Sequence, residues 1–285
     1  MRSGRAIFRV LLLPGTLWLA VLFVIPLGLV AAVSLARTNI VGLPVYGLHL
    51  DNYKSAFQSY YLPVIFRTVE YAGAATAIIG VLAYPTAYTI ARFGGRLKNA
   101  LIVLVILPWF VDYLVRIYAW VVILGDNGTL NGILHGLGLR GSPPVQFLNR
   151  PWAVIGGLVY TYFPFMVLPV YAALEQLDHQ LIEAGRDLYA SGRRVFWHIT
   201  LPLSSPGIAA GIVLTFLPSL GDFATAQLLG GPDTYMVGNL IADQFSDVGD
   251  ITFGSALTIV LMSVLLVVIL GYLWTGSRRA RAVRA

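Results

Sequence analysis

The sequence predicts an all-α membrane protein with six transmembrane helices. Of its 285 residues, 58% are hydrophobic and only 11% are charged, and the mean hydropathy is +0.78. The apolar residues form six runs of roughly 20 residues or more, the helix length that crosses a hydrocarbon core of about 30 Å. Because lipid offers the backbone no hydrogen bonds, each run is expected to be a helix. The runs cover approximately residues 11–35, 64–91, 99–124, 151–174, 206–229 and 253–275.

The first run is predicted to be a retained helix. It follows a basic start and ends in small residues, as a signal peptide does, but its length of about 25 residues exceeds the apolar core of such a peptide. Removing it would also leave an odd number of spans. Prolines within several runs, such as Pro85 and Pro164, predict bent helices, which suit a transporter but are common in membrane helices generally.

The distribution of basic residues predicts the topology. If the N-terminus lies inside, 13 of the 19 Lys and Arg residues fall in inside segments and 6 fall elsewhere. This is the positive-inside bias, and it places both termini in the cytoplasm. The net charge of +6 is therefore a topology signal, and we expect no nucleic-acid partner.

The same topology divides the chain into three parts. The first helix and the first external loop take residues 1–63, and a five-helix core takes residues 64–275. The core contains a large cytoplasmic loop at 175–205, and a basic cytoplasmic tail follows at 276–285.

A charged segment within that loop, EAGRDLYASGRRVFWHITLP at 183–202, stands out in the apolar chain. It predicts two short helices, one from 183 to about 191 and another over 193–199. Gly192 offers a left-handed stop between them, and Pro202 ends the unit. Apolar Leu181, Ala184 and Leu188 oppose the charged residues of the first helix, so this helix is expected to dock on another protein.

The segment resembles the EAA loop of ABC-importer permeases, which reads Glu-Ala-Ala, three residues, Gly, nine residues, Ile-x-Leu-Pro. Gly185 stands for the second Ala, and Tyr189 stands where the family has Gly, a departure that Gly192 is expected to compensate. The matching residues are Glu183, Ala184, Ile199, Leu201 and Pro202.

By this resemblance the loop couples the protein to an ATPase. The coupling residues it implies are Glu183, Ala184, Gly185, Arg186, Asp187, Leu188, Tyr189, Ala190, Ser191 and Gly192. Segments 107–131 and 217–245 look like the spermidine/putrescine branch of the same permeases. The resemblance implies a type I ABC-importer permease fold in the bacterial inner membrane, and membrane lipid around it. It also implies a second related permease, two cytoplasmic ATPase subunits and an external solute-binding protein.

The sequence carries no catalytic or metal-binding pattern of its own. It has no cysteine, no Gly-x-x-x-x-Gly-Lys-Ser/Thr phosphate loop, and its four histidines fall in different segments without ligand spacing. We therefore expect no enzyme activity, no metal and no cofactor on this chain. The resemblance assigns ATP and Mg to the partner ATPase subunits.

Intramembrane and outer acidic residues are candidates for a substrate path, because an isolated carboxylate in the bilayer normally faces a cavity or a partner. Asp222 lies within or at the outer end of the fifth run, directly after Gly221, with no basic neighbour in sequence, and we expect it on the path. Asp112 either pairs with Arg116 one turn later or contacts substrate. Glu70 likewise either pairs with Arg67 or lies on the path.

Further candidates are Asp243 and the aromatic residues of the third run. Asp243 is one of five acids between Arg194 and Arg278, a stretch without Lys or Arg, and such an acidic mouth would concentrate cations. Trp109 and Tyr113 offer ring faces to an ammonium group, or simply pack between helices.

Together these features predict a permease subunit that imports a polyamine or a similar small organic cation. The sequence leaves open a permease of the same type for iron, thiamine, an opine or an amino-acid-like solute. It also leaves open a stand-alone secondary carrier, although no inverted repeat is evident.

Overall fold

The computed structural model describes residues 12–39, 42–139 and 144–282, so the basic start at Arg2, Arg5 and Arg9 lies outside the described residues. The chain is almost entirely helical and forms two compact units. The first unit combines Met1–Pro63 with Leu240–Val264, and the second combines Val64–Asn239 with Leu265–Ala285.

Twelve helices lie in the described residues, and two short strands pair antiparallel in one hairpin. Strand β1 (Arg37–Thr38) pairs with β2 (Pro44–Val45), with Arg37 opposite Val45. The helices are α1 (Leu12–Ser34), α2 (Asp51–Ala56), α3 (Leu62–Phe93), α4 (Lys98–Ile106), α5 (Tyr113–Leu124), α6 (Thr129–Gly136), α7 (Pro151–Glu175), α8 (His179–Asp187), α9 (Gly192–Gly221), α10 (Ala224–Leu229), α11 (Val237–Ser246) and α12 (Ile251–Ala282).

Five of these helices are long and apolar enough to cross a membrane, namely α1, α3, α7, α9 and α12. A sixth candidate is a broken span, in which Gly95–Phe110 and Tyr113–Gly136 meet at 88°. The predicted class, an all-α membrane protein with up to six spans, is thus confirmed. The prediction of one continuous third helix over 99–124 was wrong, because Val111 and Asp112 are extended.

The fifth span differs from its predicted bounds of 206–229. It begins at Gly192, inside the charged segment, and ends at Gly221. Pro202 was expected to end the second short helix, but it lies within this continuous helix. Its missing N–H disturbs the preceding turn, and Phe196–Thr200 forms a π-helical turn in which the Leu201 N–H bonds to the Phe196 carbonyl.

The turn between α8 and α9 also differs from the prediction. Gly192 does not stop α8; it begins α9 after Ser191. Tyr189 takes the left-handed conformation instead, with φ of 59°. The Ala190 N–H bonds to the Gly185 carbonyl at 3.3 Å and the Tyr189 N–H to the Arg186 carbonyl at 2.8 Å, which is a Schellman motif. Tyrosine thus occupies a position that favours glycine.

Helix α7 is the centre of the second unit. Its N-terminal half packs on α3 and α10, and its C-terminal half packs on α3 and α9. The first buried cluster contains Tyr71, Ala75, Val154, Leu158, Ala226 and Met236, and the second contains Ile79, Ala83, Ala87, Met166, Val167, Val170 and Leu174. A Cβ added at Gly207 of α9 would lie 2.5 Å from the Ala173 Cβ, and one at Gly211 would lie 2.5 Å from the Met166 sulfur. Small residues therefore set how closely α7 and α9 approach.

The first unit is tied together at the start of α12. Asp250 precedes this helix, and its Oδ1 accepts from the Phe253 N–H at 3.1 Å, the Thr252 hydroxyl at 2.9 Å and the Thr38 hydroxyl at 2.6 Å. Burial raises the pKa of Asp250, but these hydrogen bonds lower it more, so the pKa lies below its usual value of 3.8. Asp250 therefore joins the β1–β2 hairpin to the cap of α12.

Replacing Tyr189 by glycine is expected to stabilise the turn after α8 by about 1 kcal/mol, because glycine adopts positive φ without a Cβ clash. The side chain is 97% exposed, so little packing is lost. Hydrogen exchange of residues 185–190 is expected to slow by about fivefold. Tyr189→Ala removes the same ring but keeps the Cβ; equal exchange in the two variants would contradict the backbone explanation.

Asp250→Ala is expected to destabilise the first unit by about 1 kcal/mol through loss of the helix cap. A carboxyl group whose pKa is lowered by folding stabilises the fold at pH values above its pKa in the unfolded state. That stabilisation is lost as the pH falls through its pKa in the folded state. The melting-temperature difference from wild type should therefore hold from about pH 5 to 8 and shrink below about pH 4. The exposed neighbour Asp247, changed to Ala, is the control; a difference independent of pH would show that the carboxylate charge is not involved.

Candidate functional site

The loop predicted at 175–205 contains helix α8, which has one face packed and one face open. Asp178 begins the helix, and its Oδ1 accepts from the Gln180 N–H at 2.9 Å. On the packed face Gly185 is buried, and a Cβ there would lie 2.6 Å from the Ile199 Cδ1. Glycine in place of the family's second alanine therefore lets α8 lie directly against the π-helical turn of α9.

The open face of α8 is an exposed apolar ridge, which we define as Leu181, Ala184, Leu188 and Tyr189. Leu181 is 48% exposed, Leu188 82% and Tyr189 97%. The charged side chains beside the ridge, Glu183, Arg186 and Asp187, are exposed as well. Ser191 and Gly192 are also exposed, whereas Ala190 is half-buried. Such an apolar ridge flanked by charges fits a protein groove. Of the predicted coupling residues, only Gly185 is buried and takes no part in this surface.

A second candidate site lies where two helices of the second unit are broken. The first break separates Gly95–Phe110 from α5. There Asp112 is extended and its Oδ1 accepts from the N–H groups of Leu114 at 3.0 Å and Val115 at 3.2 Å. This is an N-cap. In the part of the chain that the structure describes, Asp112 forms no ion pair with Arg116, so the pairing considered from the sequence is not present.

The second break separates α9 from α10 at Asp222, which is only 6% exposed. Its carboxylate accepts four hydrogen bonds. Two come from Thr225, from the N–H at 3.0 Å and the hydroxyl at 2.9 Å, and cap α10. The other two come from the hydroxyls of Tyr113 on α5 at 2.5 Å and Tyr162 on α7 at 3.1 Å. One buried carboxylate therefore holds three helical segments together through neutral donors.

Between these breaks lies a cavity of about 370 Å³, which we call the helix-break cavity. Trp109 is half-exposed and its ring meets that of Phe165 edge-to-face at 5.6 Å. The lining residues are Trp109, Tyr113, Arg116, Thr161, Tyr162, Phe165, Pro218, Gly221, Asp222, Phe223 and Ala224. Aromatic faces and one carboxylate thus surround a space large enough for a small ligand.

Arg116 is the cavity residue whose role the sequence did not predict. Its side chain is 8% exposed, and its guanidinium carbon lies 5.8 Å from the centre of the Tyr113 ring. It was considered only as a partner for Asp112. A basic residue in an apolar run is the signal that could have identified it. For Thr225 the only signal was the Asp222-x-x-Thr225 spacing, which is typical of a helix cap.

The predicted path residues thus fall into two groups. The structure brings Trp109, Tyr113 and Asp222 together around the helix-break cavity. Glu70 is exposed on α3; in the described residues it does not pair with Arg67, whose Nη1 lies 3.4 Å from the Tyr235 carbonyl oxygen. Asp243 is half-buried on α11, in the first unit.

The folding pattern is shared with solved transporters. A crystal structure of a bacterial ABC transporter involved in the import of the acidic polysaccharide alginate contains a chain that superposes with a TM-score of 0.76. The match covers 98% of this chain and 99% of that one, at 20% sequence identity. At this level of identity the similarity shows the fold, which is that of ABC-importer permeases.

Sequence comparison adds the family. The model described as "Binding-protein-dependent transport system inner membrane component" matches residues 77–279. The spermidine/putrescine transport system permease protein PotB of Haemophilus influenzae is 39% identical over 88% of each chain. The PotB protein of Escherichia coli K12 is 36% identical over 92% of this chain and 94% of its own. The chain therefore belongs to the family of binding-protein-dependent transport system inner membrane components, the permeases of ABC importers.

Proposed function

We propose that this chain is one of the membrane-spanning subunits of an ATP-driven importer and moves a polyamine or a similar small organic cation into the cytoplasm. The observation that carries the substrate class is the 36–39% identity to spermidine/putrescine permeases over about nine tenths of the chain. The helix-break cavity supports it, because aromatic rings that can bind ammonium groups line it and Asp222 is a buried carboxylate in its wall.

The proposal includes the rest of the assembly. A second, related permease completes the path, an external solute-binding protein delivers the substrate, and two ATPase subunits bind the cytoplasmic face. ATP and Mg belong to those ATPase subunits, so this chain is not itself an enzyme. The exposed apolar ridge on α8 supports the ATPase contact, since 82% of Leu188 and 97% of Tyr189 are open to a partner.

Force from the ATPase would enter through α8. Gly185 seats this helix against Ile199, and Ile199 belongs to the π-helical turn at the start of the long helix α9. A shift of α8 is therefore passed to α9 by direct packing. Alternating access then requires helices to move as rigid bodies between two packed states. Helix α9 can move in this way, because side-chain contacts hold it at both ends.

Asp222→Asn is expected to lower polyamine uptake by about tenfold or more while basal ATP hydrolysis survives, because it removes the only buried negative charge among the described lining residues of the cavity. Uptake is measured with the complex reconstituted in vesicles. Tyr162→Phe is the matched control, since it removes one hydrogen bond to Asp222 and keeps the charge, at a cost of about 1 kcal/mol in stability. Normal uptake by Asp222→Asn would remove this residue from the substrate path.

Glu183→Lys is expected to leave the permease in the membrane but to reduce its co-purification with the ATPase by about tenfold or more, since a reversed charge beside the apolar ridge opposes docking. Transport should fall in parallel. Asp247→Lys, the same change at an exposed residue outside the loop, controls for the added positive charge. Unchanged co-purification of Glu183→Lys would show that this face of α8 does not contact the ATPase.

A further inference from the structure

The guanidinium of Arg116 is buried in the wall of the helix-break cavity without an acceptor. Its side chain is 8% exposed, and its Nε is enclosed with no hydrogen-bond partner among the described residues. It also has no ion-pair partner in that part of the chain. Arg116 lines a second cavity of about 330 Å³ as well, beside Trp109 and Trp120. Arg116 thus lines space that a ligand can enter, and its guanidinium has no acceptor among the described residues.

A buried guanidinium is unfavourable when it has no hydrogen-bond acceptor. A buried charge without hydrogen bonds is strongly unfavourable, and arginine cannot lose its proton to relieve it. The Tyr113 ring, 5.8 Å away, offsets part of it through its negative face. A ring face offers no lone pair to the Nε–H of Arg116, so this group still lacks a hydrogen-bond acceptor.

Asp222 does not supply that acceptor, although it lines the same cavity. Its two oxygens already accept from Tyr113, Tyr162 and both donors of Thr225. A carboxylate has about four lone-pair sites, so these four hydrogen bonds saturate it. Arg116 is therefore the charged group of the cavity that has no hydrogen-bond partner among the described residues.

A diamine or polyamine cannot satisfy Arg116, since its ammonium groups only donate. A carboxylate can, because it accepts two parallel N–H bonds from one guanidinium. The same cavity also suits an ammonium group, since the aromatic rings of Trp109 and Phe165 line it. A ligand that uses both features carries an amine and a carboxylate on one short chain.

We propose that the helix-break cavity binds linear ω-amino carboxylates, with the carboxylate on Arg116 and the ammonium group against Trp109 and Phe165. This rests on the proposed import function and extends its substrates from polyamines to amines that also carry a carboxylate. A cavity of about 370 Å³ lies at the small end of ligand sites, as a short linear chain requires.

The test compares three probes of equal chain length on the purified permease–ATPase complex without its binding protein, by titration calorimetry. The probes are δ-aminovalerate, cadaverine and valerate. The Kd of δ-aminovalerate is expected to be at least about tenfold below that of either other probe. Cadaverine binding as tightly as δ-aminovalerate, or no detectable δ-aminovalerate binding, overturns the proposal.

Two variants assign the preference to Arg116. In Arg116→Gln the ratio of the cadaverine Kd to the δ-aminovalerate Kd is expected to fall by about tenfold. In Arg116→Lys it is expected to fall less, because the charge stays but the planar fork is lost. Arg96→Gln, at an exposed arginine outside the cavity, should keep the wild-type ratio. An unchanged ratio in Arg116→Gln overturns the proposal, and if that variant does not assemble, the wild-type series decides.

Uptake of spermidine and putrescine by wild-type vesicles separates this inference from the function on which it rests. No polyamine uptake, together with preferred binding of δ-aminovalerate, would overturn the polyamine function alone. Polyamine uptake together with equal binding of the three probes would overturn the amino-carboxylate inference alone.

Discussion

The carboxylate of Asp222 is the interaction on which the geometry of the helix-break cavity depends. It caps α10 through Thr225 and fixes α5 and α7 through two tyrosine hydroxyls. A buried carboxylate is costly unless its lone pairs are satisfied, and here neutral donors satisfy it without a cation. Among the described residues no lysine or arginine forms an ion pair with it, although Arg116 lines the same cavity. Removing any one donor would leave the others less well oriented, because they act on the same two oxygens.

The two helix breaks have the same local chemistry. Each places an aspartate in extended backbone ahead of a new helix, and each carboxylate accepts from N–H groups of that helix. Helix N-termini favour negative charge, so an acidic residue is stable at these positions inside an apolar protein. The carboxylate of Asp112 only caps its helix, whereas the carboxylate of Asp222 also accepts hydrogen bonds from side chains of neighbouring helices. That difference explains why only Asp222 lines the cavity.

Hydropathy was sufficient to predict the fold class, since the spans at 12–34, 62–93, 151–175 and 251–271 begin and end within a few residues of the predicted runs. It could not locate the 88° break, because residues on both sides of 111–112 are equally apolar. It also placed the fifth span too late, since the charges at 193 and 194 hide a helix that starts at Gly192. The predictions for the loop depended on glycine marking the turn, whereas the backbone placed Tyr189 there. Arg116 was missed because sequence spacing suggests partners but does not show which side chains lack one.

The continuity of α9 has a mechanical consequence. A helix of 30 residues from Gly192 to Gly221 is about 45 Å long at 1.5 Å per residue. It is one continuous helix from the end that touches α8 to the end beside Asp222, with a π-helical turn ahead of Pro202 and two further prolines, Pro206 and Pro218, in its interior. It therefore acts as a lever arm, and a tilt of about 5° displaces one end by about 4 Å relative to the other. A movement of that size is enough to separate a hydroxyl from a carboxylate, so a tilt of α9 would break the hydrogen bonds that Asp222 accepts from Tyr113 and Tyr162.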